Sequence, residues 1–258
     1  MNVNPDKVCN FDCPYCQVDR TVPPRDKAVD FDIMVAEIDG LLAMAASGAI
    51  WQHPKFADTP EQYRRVNDIA FAGDGEPTTY ARLGEAIREV KRLREKHGLA
   101  EAKIIVLTNA LLLNRPEVME ALSELRHGPY EIWAKLDAGT QEYFEFIAGR
   151  KLSLQRVVDN IAQAGKQLEL TIQSLFPTVD GNDPGEDEYA AYAGRINEIT
   201  AAGANLRLLQ LYTTARRPAQ DRIGMIDDAR MDEIGAFIAS KVDVPVEVYY
   251  GRHWDSAD

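Results

Sequence analysis

Alternation of short apolar runs with helix-patterned stretches constrains this chain more than any other feature. The runs lie at 66–72 (V-N-D-I-A-F-A), 103–109 (K-I-I-V-L-T-N), 130–137 (Y-E-I-W-A-K-L-D), 168–176 (L-E-L-T-I-Q-S-L-F) and 205–213 (N-L-R-L-L-Q-L-Y-T). Between them, 31–46 carries Phe31, Met34, Val35, Ile38, Leu41 and Leu42 at helical spacing, and 80–95 does the same with Leu83, Ala86, Ile87, Val90 and Leu93. Further helices are expected after Asn114 as a cap with Pro116 in the first turn, after Gly139-Thr140, from Ser153 to Ala164, over 189–202 and over 231–241. Residues 244–250 read as a last strand or extended segment. Near the start, only Asn2 to Asn4 can serve as a first strand, either as a stub or as the end of a strand begun upstream. Strict β-then-α order implies a parallel sheet with right-handed crossovers. With the stub, six units are counted. The expected fold is α/β: an incomplete (β/α)6 parallel barrel, or partial TIM barrel, over 1–218, with the helix and extended segment of 219–258 packed on it. The end, R-H-W-D-S-A-D, is expected to be a tail or a cap over the barrel.

All three cysteines of the chain, Cys9, Cys13 and Cys16, fall in one stretch, V-C-N-F-D-C-P-Y-C-Q. A C-x3-C-x2-C spacing offers three soft thiolates, which suit an iron–sulfur cluster with one iron left open to a non-protein ligand. Three alternatives stand beside this reading. A structural zinc needs a fourth ligand, and His53, His97, His127 and His253 are remote in sequence. A disulfide with one spare thiol fits poorly with an odd count and crowded spacing. A plain electron carrier is open, although the usual clusters take four cysteines.

The stretch C-N-F-D-C-P-Y-C resembles the cluster loop of the radical S-adenosylmethionine (SAM) enzymes, whose pattern is C-x3-C-x-aromatic-C. The resemblance implies that Cys9, Cys13 and Cys16 hold a [4Fe-4S] cluster, that SAM chelates the open iron, and that Tyr15 lies near the adenine. Downstream, the run 66–72 leads into Gly73-Asp74-Gly75-Glu76-Pro77. By itself this could be a tight turn. After such a cysteine loop it resembles the family's G-G-E-P motif, which implies that Gly73, Asp74, Gly75 and Glu76 hold the amino group of SAM. Carbonyls and a carboxylate are the acceptors an ammonium needs. One residue is inserted relative to the shortest form of that motif. Where the family often has T-N-G, near the SAM ribose, this chain has Thr108-Asn109-Ala110. The implied fold is the partial barrel already read from the alternation. The implied chemistry is reductive cleavage of SAM to a 5′-deoxyadenosyl radical that abstracts hydrogen from a substrate, with a donor such as flavodoxin or ferredoxin. The runs C-N-F-D-C-P-Y-C-Q-V-D-R, G-D-G-E-P-T-T and K-L-D-A-G-T resemble most the iron–sulfur oxidoreductase branch related to the wyosine-forming tRNA enzymes. No cysteine remains for a second cluster.

Other polar residues sit at strand ends, where α/β folds bind ligands. Lys135 and Asp137 share a face of their strand; they either pair with each other or contact SAM or substrate. Gln173 and Ser174 are placed as SAM contacts by the resemblance. Gln210 and Tyr212 share a face, and Arg216 and Arg217 on the following loop could bind an anionic group of substrate. The acidic stretch 178–188 is a solvated run or a lid. No catalytic side chain is singled out.

Lys and Arg total 29 against 41 Asp and Glu, a net charge of −12. A broad nucleic-acid-binding surface is disfavoured, because phosphates are neutralised by clustered cations. A small-molecule substrate is preferred; a peptide or a glycyl-radical enzyme to be activated comes next. No apolar run reaches the ~18 residues needed to span a bilayer, and no leader precedes the cysteines. A cytoplasmic protein is expected.

Overall fold

A computed structural model of the chain describes residues 1–218 and 220–251. The final segment R-H-W-D-S-A-D, considered above as tail or cap, lies outside the described residues. The strands are β1 (Asp68–Phe71), β2 (Lys103–Thr108), β3 (Tyr130–Lys135), β4 (Leu170–Leu175), β5 (Thr178–Val179), β6 (Leu206–Tyr212), β7 (Ile223–Gly224) and β8 (Val246–Tyr249). The helices are α1 (Phe31–Ala46), α2 (Leu83–Lys96), α3 (Pro116–Ser123), α4 (Gln141–Ala148), α5 (Leu154–Gly165), α6 (Glu186–Ala201) and α7 (Asp228–Ala239). Six strands follow the order β1-β2-β3-β4-β6-β8. β1 with β2, β3 with β4, β4 with β6 and β6 with β8 all pair in parallel. This is the parallel α/β arrangement that the alternation implies.

The sixth strand is not the one expected. Asn2 to Asn4 form no strand; β8 joins the sheet instead. Asn4 N–H turns back to the Asn2 side chain at 3.0 Å, and such local bonding competes with a ladder. Met1 pairs with the neighbouring strand: its amino group donates to Ala70 O at 2.6 Å, and Ala72 N–H donates to Met1 O at 3.0 Å.

The chain divides into two compact units. The first takes Met1–Val8, Pro24–Leu107 and Arg115–Glu131. Here α2 buries Leu83, Ala86, Ile87, Val90 and Leu93, the residues its periodicity marks. Asp30 caps α1 through Ile33 N–H at 3.1 Å. Only Ile38 and Leu42 of α1 are buried; Leu41, read as part of the apolar stripe, is exposed. The cap of α3 is Arg115, without a side-chain bond, rather than Asn114. Pro116 opens the helix at its first position, which moves the cap to the residue immediately before it.

The second unit takes Cys9–Pro23, Thr108–Asn114 and everything from Ile132. Its parallel register aligns Lys135 with Gln173, Gln173 with Gln210, and Gln210 with Glu247. Phe176 packs edge-on against Tyr189 and Tyr192 of α6, at 5.2 and 5.4 Å between ring centres. Thr140 and Ser153 cap α4 and α5 as expected. Helix α6 starts earlier than read from sequence, because Glu186, Asp187 and Glu188 form its first turn, where carboxylates favour the N-terminal dipole. Among the described residues, no helix is long and apolar enough to cross a membrane.

Candidate functional site

In the second unit, α4 fixes the cysteine loop. Phe11 is buried edge-on against Phe144, with 5.8 Å between ring centres. Asp12 N–H donates to Ala148 O at 2.8 Å. Gly149 ends the helix at φ +64°, and a Cβ there would collide with the Asp12 carbonyl. The loop then turns tightly, with Cys16 N–H donating to Cys13 O at 2.9 Å.

All three cysteines are half-buried. Donors point at the sulfurs. Cys9 Sγ accepts from Phe11 N–H at 3.5 Å and from Asn109 Nδ2 at 3.9 Å, and Cys16 Sγ accepts from Arg20 Nη1 at 3.4 Å. Burial pushes the Cys13 thiol up to about 12, and the Asp137 carboxylate adds to this, against the Tyr15 hydrogen bond and Lys135. Such a thiol gives up its proton when a metal takes its place. Among the described residues, no three His, Cys, Asp or Glu side chains converge so as to hold a single ion. An iron–sulfur cluster takes soft thiolate ligands. Soft donors on one loop, with N–H groups aimed at their sulfurs, fit such a cluster.

Next to Cys13, strand-end side chains join in one network. Tyr15 Oη donates to Asp137 Oδ2. Lys135 Nζ lies 3.2 Å from Asp137 Oδ1 and donates to Tyr212 Oη at 2.7 Å. Tyr212 Oη donates to Gln173 Oε1 at 3.3 Å, and Gln173 Nε2 to Gln210 Oε1 at 3.4 Å. Lys135 also stands 5.5 Å from the centre of the Tyr15 ring and 5.1 Å from that of Tyr212. Burial opposes its charge, but Asp137 and Tyr212 outweigh burial and hold its pKa above the usual lysine value. Lys135 is therefore a cation in this network. Burial raises the Tyr15 phenol, as do Asp137 and Cys13, so it stays protonated.

Strand parity excludes Ser174 from this network. Its side chain points to the opposite face, where Oγ bonds Leu136 O at 2.6 Å and Tyr192 Oη at 2.8 Å. Arg216 and Arg217 are exposed, and Arg217 pairs with Asp221 at 3.1 Å. Thr108 ends β2 and Asn109 follows it; both are buried. Asn109 Nδ2 donates to Asn10 Oδ1 at 2.6 Å, and Thr108 Oγ1 accepts from Ala110 N–H at 3.1 Å. Ala110, where the related motif has glycine, adopts φ +62°.

In the first unit, residues 73–76 form the turn after β1. A Cβ on Gly75 would collide with Val8 O, and one on Gly73 with the Asn2 side chain. Glu76 N–H donates to Val8 O at 3.0 Å. Val8 directly precedes Cys9 in the chain. The buried Glu76 carboxylate accepts from Thr78 N–H at 3.1 Å and Thr78 Oγ1 at 2.5 Å. Asp74 Oδ2 accepts from Asn2 Nδ2 at 2.8 Å.

The acidic stretch is tied down. Asp180 pairs with Arg222 and Asp183 with Arg230, at 2.7 and 2.6 Å, while β5 pairs antiparallel with β7. Glu188 is buried and accepts from the backbone N–H groups of Gly139 and Thr140.

Several supporting residues escape a reading of the sequence. Asn160, inside α5, donates to Ala110 O and Leu111 O at 3.0 and 2.9 Å and so holds the turn after β2. A polar residue on an otherwise apolar face is its one sequence signal. Arg20, Phe11 and Gly149 have none beyond closeness to the cysteines or to a helix end.

The family model of the Radical SAM superfamily matches residues 3–188. A protein called GTPase Obg from Brachyspira hyodysenteriae is 22% identical over 255 residues, 96% of this chain and 32% of that protein. The UPF0026 protein slr1464 of Synechocystis sp. is 34% identical over 115 residues, 45% of this chain and 35% of that protein. The chain thus spans about a third of the length of these curated relatives. Among solved structures, a radical SAM methyltransferase from Sphaerobacter thermophilus aligns with TM-score 0.64 at 16% identity, over 95% of this chain and 64% of that one. Archaeal TYW1 aligns with TM-score 0.50 at 13% identity, over 92% and 75%.

Proposed function

Because this chain belongs to the radical SAM superfamily, whose members use a [4Fe-4S] cluster and SAM, we propose that it is an enzyme in which Cys9, Cys13 and Cys16 hold the cluster. The observation that carries this reading is the set of N–H donors from Phe11, Asn109 and Arg20 on the cysteine sulfurs. When bound and reduced, the cluster supplies the electron that splits SAM into methionine and a 5′-deoxyadenosyl radical, which takes a hydrogen atom from substrate. The chain's own groups bind and orient. Residues 73–76 present carbonyls and a carboxylate for the SAM amino group, and Lys135 offers a fixed cation to a carboxylate of SAM or of substrate. Tyr15 and Asp137 hold that cation in place. Gln173, Gln210 and Tyr212 supply polar contacts on the same face, and Thr108 and Asn109 shape the ribose end.

The substrate we propose is a small molecule. The net charge of −12 weighs against a tRNA, and the likeness to TYW1 is one of fold. A flavodoxin- or ferredoxin-type donor supplies the electron, in the cytoplasm. The test is anaerobic reconstitution followed by EPR of the reduced cluster with and without SAM. SAM should change the signal in the wild type, and Glu76→Ala should keep the cluster while weakening that response at least tenfold. An unchanged SAM response in Glu76→Ala would reduce residues 73–76 to a turn.

A further inference from the structure

We propose that Arg20 sets the reduction potential of the cluster by holding a permanent positive charge against the Cys16 sulfur. The proposal rests on the ligand assignment just made and goes beyond it to how one ligand is tuned. Arg20 Nη1 lies 3.4 Å from Cys16 Sγ, and the residue is half-buried. The turn that carries it is fixed by Asp19 Oδ1, which accepts from Thr21 N–H at 2.8 Å and Thr21 Oγ1 at 2.6 Å. A thiol sulfur is a weak acceptor, whereas a thiolate makes a charge-assisted bond. The guanidinium keeps its proton at any working pH.

The three ligand sulfurs therefore differ. Cys9 accepts from two neutral amides, those of Phe11 and Asn109. Cys13 lies beside Asp137 and Lys135, which pair with each other at 3.2 Å, and takes a hydrogen bond from the neutral Tyr15 hydroxyl. Cys16 accepts from the Arg20 guanidinium, which also feels the Asp12 carboxylate. Reduction adds one electron to the cluster, and a positive charge at a ligand sulfur favours the more negative state. Hydrogen bonds to the sulfurs and local charge are the levers by which a protein moves such a potential. Arg20 acts through Cys16, so it is a positioning residue.

The test is an EPR-monitored redox titration of reconstituted wild type, Arg20→Lys, Arg20→Gln and Arg20→Ala, with iron content measured on each. At a fixed solution potential, the reduced-to-oxidised ratio should fall at least tenfold in Arg20→Gln and Arg20→Ala, a midpoint lower by about 59 mV for one electron. Arg20→Lys keeps the charge and should stay near the wild type. Midpoints of the Gln and Ala variants that match a cluster-bearing wild type overturn this inference and leave the ligand assignment standing. A wild type that assembles no cluster overturns both. If Arg20→Ala fails to retain iron, the Lys and Gln variants, which keep a long polar side chain, decide the question.

Discussion

Ala110 sits at φ +62° with its methyl fully buried, a conformation in which an L-residue costs about 1–2 kcal/mol. Replacing it by glycine relieves that strain. Against this stand about 0.4–1 kcal/mol of added chain entropy in the unfolded state and about 0.8 kcal/mol for the lost buried methyl. The effects nearly cancel, so Ala110→Gly should move stability by no more than about 0.5 kcal/mol in urea unfolding, where a buried alanine in ordinary backbone would lose about 1 or more. A loss at that ordinary level would show that the turn is unstrained. The motif T-N-A was visible in the sequence; the strain was not, because φ is imposed by the turn and by Asn160, 50 residues downstream. Lys135 and Asp137 were legible as a same-face pair from spacing alone, and they do pair. Tyr15 as the partner of Asp137 was not, since that bond spans 122 residues.

At the level of elements, strand parity and register decide which polar residues meet. Gln173 joins Lys135 and Gln210 in one aligned row, while Ser174, one position on, is turned towards Tyr192. A residue-by-residue reading of a strand end gives both equal weight. Helix α4 matters to the cysteine loop for a reason the sequence hides: its C-terminal turn is the surface on which Phe11 and Asp12 rest. Gly149→Ala would put a Cβ into the Asp12 carbonyl and an L-residue at φ +64°. The expected result is about 1–2 kcal/mol of lost stability together with lower iron and sulfide after reconstitution. Lost stability with full iron loading would mean that the loop does not depend on that helix end. The N-terminal stub forms no strand because Asn2 and Asn4 bond locally, which an extended-looking sequence does not reveal, and β8 is weakly marked because a short run after the last long helix gives little periodic signal.

For the molecule as a whole, the parallel α/β order was legible because the apolar runs from 66 to 213 are each separated from the next by at least one helix-patterned stretch that can carry the chain back across the sheet. The cysteine loop was legible because three thiols in eight residues leave few chemistries. The supports of that loop were not, since they come from distant segments and carry no motif. Superfamily membership and the N–H donors at the sulfurs lead to one central claim, that three cysteines hold a cluster which cleaves SAM. The most direct measurement is mass spectrometric detection of 5′-deoxyadenosine after anaerobic reconstitution, with dithionite and SAM added, in wild type and in Cys13→Ala. The account predicts 5′-deoxyadenosine from the wild type and neither cluster nor product from Cys13→Ala. A Cys13→Ala protein that still cleaves SAM, or a wild type that carries a reduced cluster and binds no SAM, would contradict it.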